Sequence, residues 1–292
     1  MAEIICEKCG KKFESDSSLV QHMHNKHGFK NIAPSDRPRK VRTKTIATWS
    51  VIVILVVLVG SFLIFSPKNS NEGKVGSIVE QDVYGKLNVS FDVLNSIGNN
   101  NVQGLRLVAG SPLTQDNKPK IVYVGAEYCP YCAAERWSMI IALSKFGNFT
   151  GLEYTLSSSN DVYPNTPTFT FTHASYTSDY ISFEAVETHD RNNNLLQSPT
   201  AEQNTLMRLY NPSGGIPFLD IGNKYVLVGS QINPGTISGD WNAVLLSLND
   251  TNSQTSRNIN GAANVLISAI CKVTNSQPAD VCSQPAAKLL IG

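Results

Sequence analysis

The sequence predicts a mixed α/β chain in three parts: a small head, one membrane-spanning helix and a larger outer domain. Three observations support this fold class. Two cysteines and two histidines lie close together near the N-terminus, an uncharged run of twenty residues follows, and strand-like and helix-like segments alternate from there on. The 292 residues are enough for one or two domains with cores of their own.

The head, residues 1–29, contains Cys6-x2-Cys9 and, twelve residues later, His22-x4-His27. Two thiolates and two imidazoles supply a closed tetrahedral Zn²⁺ site, which is structural because no coordination position stays open. A segment this short has too small a core to fold alone, so bound zinc would supply the folding free energy. The segment resembles zinc fingers of the two-cysteine, two-histidine kind. This resemblance implies a small ββα fold holding one structural zinc ion.

The partner of this head is predicted from its helix. By resemblance to DNA-reading fingers, the positions that would face bases are Ser15, Ser18 and Gln21. One finger reads only about three base pairs, and short serines make poor bidentate contacts with bases. We therefore expect a cytoplasmic protein partner for the head. Weak, salt-sensitive binding to nucleic acid is the alternative, because a basic linker follows at residues 30–45.

The run from 46 to 65 contains no charged residue. As a helix it would rise about 30 Å, the thickness of the hydrocarbon core of a bilayer. A signal peptide is disfavoured because forty-five residues precede the run and no small-residue cleavage pattern follows it. A buried core helix is disfavoured because the run lacks a polar face. The sequence therefore predicts a transmembrane helix.

The charges on the two sides of this run predict its orientation. Residues 1–45 contain ten Lys or Arg against five Asp or Glu, whereas the chain after the run contains fourteen against eighteen. Positive charge stays on the cytoplasmic side. We therefore expect a single-pass protein of the cell membrane, with a cytoplasmic N-terminus, a polar stalk at 66–85 and an extracytoplasmic remainder. In that compartment disulfides persist.

The outer domain is predicted to span residues 86–250, with a loop-rich insertion at about 158–200, followed by a C-terminal helix and disulfide loop at 251–292. Continuous apolar runs predict buried strands, and helical periodicity separates them. The predicted elements are, in order, a strand at 120–126, a helix from Pro130 to about Phe146, a strand at 152–156, two strand-like pieces in the insertion, a helix near 201–210, strands at 216–222 and 224–229, and helices near 234–249 and 258–272.

The stretch "EYCPYCAAERW" holds the candidate site, Cys129 and Cys132. Their spacing fits a zinc knuckle, a structural disulfide or a redox pair. A zinc site needs two further ligands, and no second close pair of Cys or His follows in the outer domain. Pro130 suits the first position of a helix, which would place the Cys129 sulfur at a helix N-terminus, where a thiolate is stabilised.

Farther along, Ile216-Pro217 precedes two short strands and a helix. This unit, together with the strand–CPYC–helix unit, resembles the thioredoxin and glutaredoxin superfamily over residues 85–250, and the long insertion departs from that pattern. The layout also resembles a family of archaeal membrane-anchored proteins with thioredoxin-like outer domains. The resemblance implies that Cys129 attacks, Cys132 resolves, and Pro217 is a cis-proline beside them.

The expected function is therefore that of a membrane-anchored extracytoplasmic thiol–disulfide oxidoreductase, acting on protein thiols or disulfides through a redox-active disulfide. The alternative is a non-catalytic binding or sensing domain that keeps Cys129–Cys132 as a fixed bridge. Glu127 or Glu135 could accept the proton of Cys132, although a solvated carboxylate is the preferred interpretation of Glu135. Cys271 and Cys282 are predicted to form a structural disulfide rather than a second redox pair.

Overall fold

The computed structural model describes residues 4–28, 72–102 and 104–289. Its contacts divide the chain into two compact units, Met1–Ser66 and Pro67–Gly292. In the first unit, strands β1 (Ile4–Ile5) and β2 (Lys12–Phe13) pair antiparallel and helix α1 (Asp16–His27) follows. The order is that of the predicted ββα head.

The ends of α1 follow from local chemistry. The hydroxyl of Ser15 accepts a hydrogen bond from the backbone N–H of Ser18 at 3.3 Å and so satisfies one of the free donors at the start of the helix. Gly28 ends the helix with φ at 67°, a left-handed conformation that glycine adopts without a Cβ clash. These two caps explain why the helix occupies the segment that carries both histidines.

The second unit is mixed α/β. Its elements, in chain order, are α2 (Gln81–Leu87), α3 (Phe91–Ile97), β3 (Arg106–Leu107), β4 (Thr114–Gln115), β5 (Lys118–Gly125), α4 (Pro130–Leu143), β6 (Asn148–Thr150), β7 (Glu153–Leu156), β8 (Pro167–Thr170), β9 (Ser175–Thr177), β10 (Ser182–Glu187), α5 (Ala201–Tyr210), β11 (Phe218–Ile221), β12 (Tyr225–Val228), α6 (Trp241–Ser247), α7 (Gln254–Val273) and α8 (Ala279–Cys282). Short 3₁₀ turns occupy Pro234–Thr236 and Pro285–Lys288.

The central sheet has the strand order β10-β5-β11-β12-β3, and β4 pairs with the start of β5. β10 and β5 run parallel, while β11, β12 and β3 continue the sheet antiparallel. The strand β10 lies within the segment 158–200 that the sequence analysis assigned to an insertion. The strands β8 and β9 of the same segment pair outside the central sheet, with β7 and β6 respectively.

Helices pack on both faces of this sheet. Successive side chains of β5 point to opposite sides, so the strand contributes to the core on each face. Ile121 and Tyr123 belong to the larger apolar core, together with residues of α4 and α7. Val122 and Val124 belong to a smaller cluster that includes Leu206 of α5. Burial on both faces accounts for the continuous apolar run of this strand.

No helix within residues 4–28, 72–102 and 104–289 is long and apolar enough to cross a membrane. The longest, α7, has twenty residues, but Asn260, Asn264 and Ser268 interrupt its apolar surface, and it packs inside the second unit. This finding contradicts the predicted transmembrane helix and single-pass membrane localisation, and we correct both. The predicted span at 46–65 and the linker at 30–45 lie outside the described residues, as does most of the predicted stalk.

Candidate functional site

The cysteine pair lies where β5 passes into α4. Cys129 is the N-cap of α4, and Pro130 occupies the first turn, where the missing N–H of proline costs no hydrogen bond. The backbone N–H of Cys132 donates to the Cys129 sulfur at 3.2 Å. The Cys129 side chain thus acts as the cap of the helix, and it faces the positive end of the helix dipole.

The two thiols differ in environment. Cys129 is 6% exposed and Cys132 is fully buried, and both are free thiols. A hydrogen bond from the Cys132 side chain lowers the pKa of Cys129, with further lowering from the backbone of Cys132 and the charge of Arg136. Burial raises the pKa of Cys132 well above its usual value. Cys129 is therefore the thiol that ionises first.

Pro217 follows a cis peptide bond with Ile216 and immediately precedes β11. Because β11 pairs with β5, the segment before β11 reaches the end of β5 from which the cysteines follow. The thiol of Cys129 points to the carbonyl oxygen of Ile216 at 3.9 Å. The structure thus brings together the three residues that the sequence analysis selected as catalytic, although Cys129 and Pro217 lie far apart in sequence.

A buried ion pair lies behind the cysteines. Arg136, one helical turn after Cys132, donates from Nε and Nη2 to the carboxylate of Glu187 at 2.8 and 2.6 Å. Its Nη2 also donates to the carbonyl oxygen of Ala126 at 2.8 Å. Both charged side chains are fully buried. Their charges act on Cys132 in opposite directions, because Arg136 lowers its pKa and Glu187 raises it.

This pair was not predicted from the sequence, although one signal was present. Arg136 is a charged residue on a helix whose other side chains are almost all buried and mostly apolar. It follows Cys132 by four positions, so both lie on one helix face. The identity of its partner depends on β10 joining the sheet beside β5, and no sequence pattern indicated that contact.

The two carboxylates considered as proton acceptors have other contacts. Glu135 is fully buried, so its interpretation as a solvated carboxylate was wrong. It accepts hydrogen bonds from the hydroxyls of Ser138 and Ser230 at 2.7 and 2.8 Å, and from the backbone N–H of Gln231 at 2.9 Å. Glu127 is nearly buried and accepts from Thr172 Oγ1 at 3.1 Å. Both carboxylates thus tie the region around α4 to neighbouring loops.

Two loops flank the cysteine motif. The carbonyl oxygen of Tyr128 accepts a hydrogen bond from the backbone N–H of Ser158 at 2.9 Å. On the other side, the ring of Tyr128 lies edge-on to that of His189, with centroids 6.0 Å apart. Tyr131, between the cysteines, is 42% exposed. Aromatic side chains therefore flank the cysteine motif.

The remaining cysteines of the second unit, Cys271 and Cys282, form a disulfide. It joins the last turn of α7 to the short helix α8. Both residues belong to the larger apolar core. The bridge therefore joins buried residues near the C-terminal ends of two helices, whereas Cys129 lies at a helix N-terminus.

In the first unit, Cys6, Cys9, His22 and His27 lie together, with their ligand atoms all within 4.8 Å of one another. Cys9 Sγ is 3.2 Å from His22 Nε2. The Nε2 atom of His27 is buried and has no hydrogen-bond partner. Ligand atoms of a tetrahedral zinc site lie about 3–4 Å apart, and a buried ring nitrogen without a partner is free to bind a metal. The donor set therefore fits Zn²⁺.

Comparison with known proteins gives a family match for part of the chain. A family model described as a domain of unknown function, DUF929, matches residues 106–214. The matched range runs from the start of β3 to just beyond α5, so it includes Cys129 and Cys132 but excludes Pro217 and the first unit. No curated protein and no solved structure matches the chain. The chain is thus similar, over the part that carries its cysteine pair, to a domain whose function is unknown.

Proposed function

We propose that the second unit is a thiol–disulfide oxidoreductase with Cys129 as nucleophile and Cys132 as resolving cysteine. One observation carries the proposal: the Cys129 sulfur caps α4 and accepts a hydrogen bond from the N–H of Cys132 at 3.2 Å. A sulfur in this position is stabilised as thiolate, the reactive form. Cys132, buried one turn inward, is suited to attack only a sulfur already bonded to Cys129.

Two further features support a thioredoxin-like interpretation of this unit. The order strand, CPYC, helix is realised by β5 and α4, and Ile216-Pro217 is followed by the β11–β12 hairpin and then a helix. The carbonyl oxygen before Pro217 is 3.9 Å from the Cys129 sulfur. A disulfide substrate would therefore approach Cys129 beside the Ile216-Pro217 segment that precedes β11.

In the reducing direction, the Cys129 thiolate attacks one sulfur of a client disulfide. The new S–S bond forms as the client S–S bond breaks, and the electron pair leaves on the second client sulfur, which takes up a proton from solvent. Cys132, after losing its proton, attacks the Cys129 sulfur and expels the client's other thiolate. Two electrons pass from the Cys129–Cys132 dithiol to the client, and the reverse sequence oxidises a client dithiol.

The second step needs a Cys132 thiolate, and the surroundings of this thiol control when it forms. Burial keeps the pKa of Cys132 high, so it stays protonated while Cys129 reacts first. The charge of Arg136 opposes this effect and stabilises the thiolate that forms later. The pair with Glu187 holds the guanidinium one turn from Cys132. Arg136 is thus a positioning and electrostatic residue of the proposed reaction.

The client class is a protein thiol or disulfide. The entrance beside Cys129 carries the exposed ring of Tyr131, which lies edge-on to Tyr163 with centroids 6.0 Å apart. Aromatic surfaces of this kind favour contact with a polypeptide, because they combine apolar area with few rotatable bonds.

We further propose that the first unit binds one structural zinc ion through Cys6, Cys9, His22 and His27, and that it contacts a protein partner. The four ligand atoms converge within 4.8 Å. Zinc would supply the folding free energy that so few buried residues do not, since Cys6 is the main buried residue of this unit. Nucleic acid remains the alternative partner.

The oxidoreductase proposal is tested by trapping. The full-length Cys132→Ser variant, mixed with an oxidised client peptide, should accumulate a mixed disulfide through Cys129, because no resolving thiol remains. The matched Cys129→Ser variant should accumulate none. Both variants keep the Cys271–Cys282 bridge, so any signal from that bridge would appear equally in the two.

A glutathione redox titration of the wild-type chain completes the test. Exchangeable pairs equilibrate with small thiols, whereas structural disulfides typically lie below about −300 mV. A Cys129–Cys132 bridge that stays inert under these conditions would contradict the proposal. It would favour the alternative, a binding domain with a fixed bridge.

A further inference from the structure

A cavity of about 650 Å³ opens in the second unit, away from the cysteine pair. Lys118, at the start of β5, lines it, whereas Cys129 follows the other end of that strand. Seven residue steps of about 3.3 Å separate the two ends of β5 by roughly 23 Å. The cavity is therefore a feature separate from the proposed redox site. Its volume lies within the range of about 300–1,000 Å³ that is usual for small-molecule sites.

The walls of the cavity are built from ordered elements. They come from the loop between β3 and β4, the β4–β5 hairpin, the loop between β9 and β10, the turn between β11 and β12, and the end of α7 with the loop that follows it. That loop is held by the hydrogen bonds from Ser276 N–H to the carbonyl of Cys271 at 2.8 Å and from Thr274 Oγ1 to the carbonyl of Gln277 at 2.6 Å. The Cys271–Cys282 disulfide fixes the base of the same loop.

Three lysines line this cavity, Lys118, Lys224 and Lys272, against one carboxylate, Asp179. Within residues 72–102 and 104–289, none of these lysines lies within ion-pair distance of a carboxylate. Lys120, nearby on β5, contrasts with them, because it is paired with Glu184 at 2.9 Å and with Glu202 at 2.5 Å. Lys118 donates to the carbonyl oxygen of Ser178 at 2.7 Å. The cavity thus has more lysines than carboxylates, and Lys224 and Lys272 line it without forming an ion pair among the residues that the structure describes.

The lining is also partly apolar, with the half-buried side chains of Val108, Leu113 and Val273. A purely inorganic anion would leave this surface unused. We propose that the cavity binds a small organic anion, with an apolar body on these three residues and an acidic group held by Lys224 and Lys272. Charge complementarity and apolar burial then act on the same ligand. This site is independent of the redox chemistry at Cys129.

The test uses the full-length chain and the fluorescent probe anilinonaphthalene sulfonate, an apolar body with one negative charge. Wild-type protein should bind it saturably, one probe per chain, and more weakly as salt rises. The double variant Lys224→Gln/Lys272→Gln should lose about tenfold in affinity, as expected for two exposed charges. Thr114→Trp, which fills the cavity from the exposed strand β4, should also reduce binding.

The matched control is Lys74→Gln/Lys86→Gln, which removes two charges that lie outside the cavity and beside Glu80 and Asp82. This control should bind the probe like wild type. Uncharged phenylnaphthylamine should bind the wild type more weakly than the sulfonate does. Equal loss in the two double variants, or probe binding unchanged by Thr114→Trp, would overturn the proposal. Thermal unfolding of each variant checks that its fold is intact.

Discussion

Asp220 is a carboxylate inside the central sheet. Its side chain is fully buried on β11, where one oxygen accepts a hydrogen bond from the backbone N–H of Asn223 at 2.6 Å. The other oxygen, Oδ2, has no hydrogen-bond partner. Burial raises the pKa of Asp220 to about 6. The folded state therefore binds a proton here more readily than the unfolded chain does, and ionisation of this group at neutral pH opposes folding.

We expect Asp220→Asn to stabilise the protein at pH 8, because the amide keeps the acceptor for Asn223 and carries no charge. A folded pKa about two units above the unfolded value corresponds to roughly 3 kcal/mol of unfolding free energy. The sign follows from the direction of the shift. The destabilisation by ionised Asp220 is absent below the pKa that this group has in the unfolded chain, and it grows as pH rises through about 6. Urea unfolding of wild type and variant at several pH values measures it.

The matched control for this prediction is Asp280→Asn, an exposed position on α8. It should change stability little at any pH. A gain from Asp220→Asn that is the same at pH 3 and pH 8 would contradict the assignment of the effect to ionisation.

The buried pair of Arg136 and Glu187 allows a second residue-scale prediction. Glu187→Gln leaves a buried guanidinium without its counter-charge, which should cost about 3–5 kcal/mol of unfolding free energy. Replacing both groups with apolar residues, as in Arg136→Met/Glu187→Leu, should cost much less, because no uncompensated charge is left. Urea unfolding gives both values. If the double variant were no more stable than Glu187→Gln, the ion pair would contribute to the free energy of unfolding through more than the mutual neutralisation of its two charges.

At the scale of elements, α7 connects most of the second unit. It packs against α4 and belongs to the larger core, and its C-terminal turn carries the bridge from Cys271 to Cys282. One of its buried polar residues joins it to α3: the side-chain amide nitrogen of Asn264 donates to the carbonyl oxygens of Leu94 and Gly98 at 2.7 and 2.8 Å. These contacts hold α3 onto the helix, so loosening the end of α7 should affect the whole unit.

We expect the double variant Cys271→Ser/Cys282→Ser to lower the unfolding free energy of the second unit. The two cysteines are 11 residues apart, and the chain-entropy model assigns about 3 kcal/mol to a loop of this length. The measurement is urea unfolding in a Cys129→Ser/Cys132→Ser background, so that only this bridge changes. The parent background with the bridge chemically reduced should match the double variant, and unequal stabilities would point to an effect of the serines themselves.

At the scale of the whole molecule, two units of different size rely on different sources of stability. The second unit has a large apolar core on one face of its sheet and a smaller one on the other. The first unit has two strands of two residues each and one helix of twelve residues, none of whose residues is buried. Its stability should therefore depend on the proposed metal, whereas that of the second unit should not.

We expect a zinc chelator to make the first unit sensitive to trypsin and to leave the second unit resistant. The cleavage sites are Lys8, Lys11, Lys12 and Lys26, and peptide mass spectrometry of the full-length chain locates the cuts. His27→Ala should be cleaved there even with zinc present. His24→Ala, which alters a histidine outside the ligand cluster, should stay protected. Equal protection with and without chelator would contradict metal-dependent folding.

The features that could be predicted from sequence depend on short-range chemistry. The position of Cys129 as the N-cap of α4 could be predicted, because this cysteine lies between an apolar strand and Pro130. The clustering of the four ligands in the first unit follows from their spacing around one turn and one helix. Much of the order of strands and helices could also be predicted from the sequence, because apolar periodicity indicates which face of each element is buried.

Tertiary structure alone decided which distant groups meet. Glu187 reaches Arg136 because β10 pairs parallel with β5. The same pairing makes β10 a strand of the central sheet, whereas the sequence predicted that it belongs to a loop-rich insertion. Burial of Glu135 and Asp220 also depends on neighbours from other elements. The predicted transmembrane helix was read from hydropathy alone, and the described structure contradicts it. Local sequence determines conformation over a few residues, whereas burial and charge pairing are properties of contacts between segments that only the folded chain brings together.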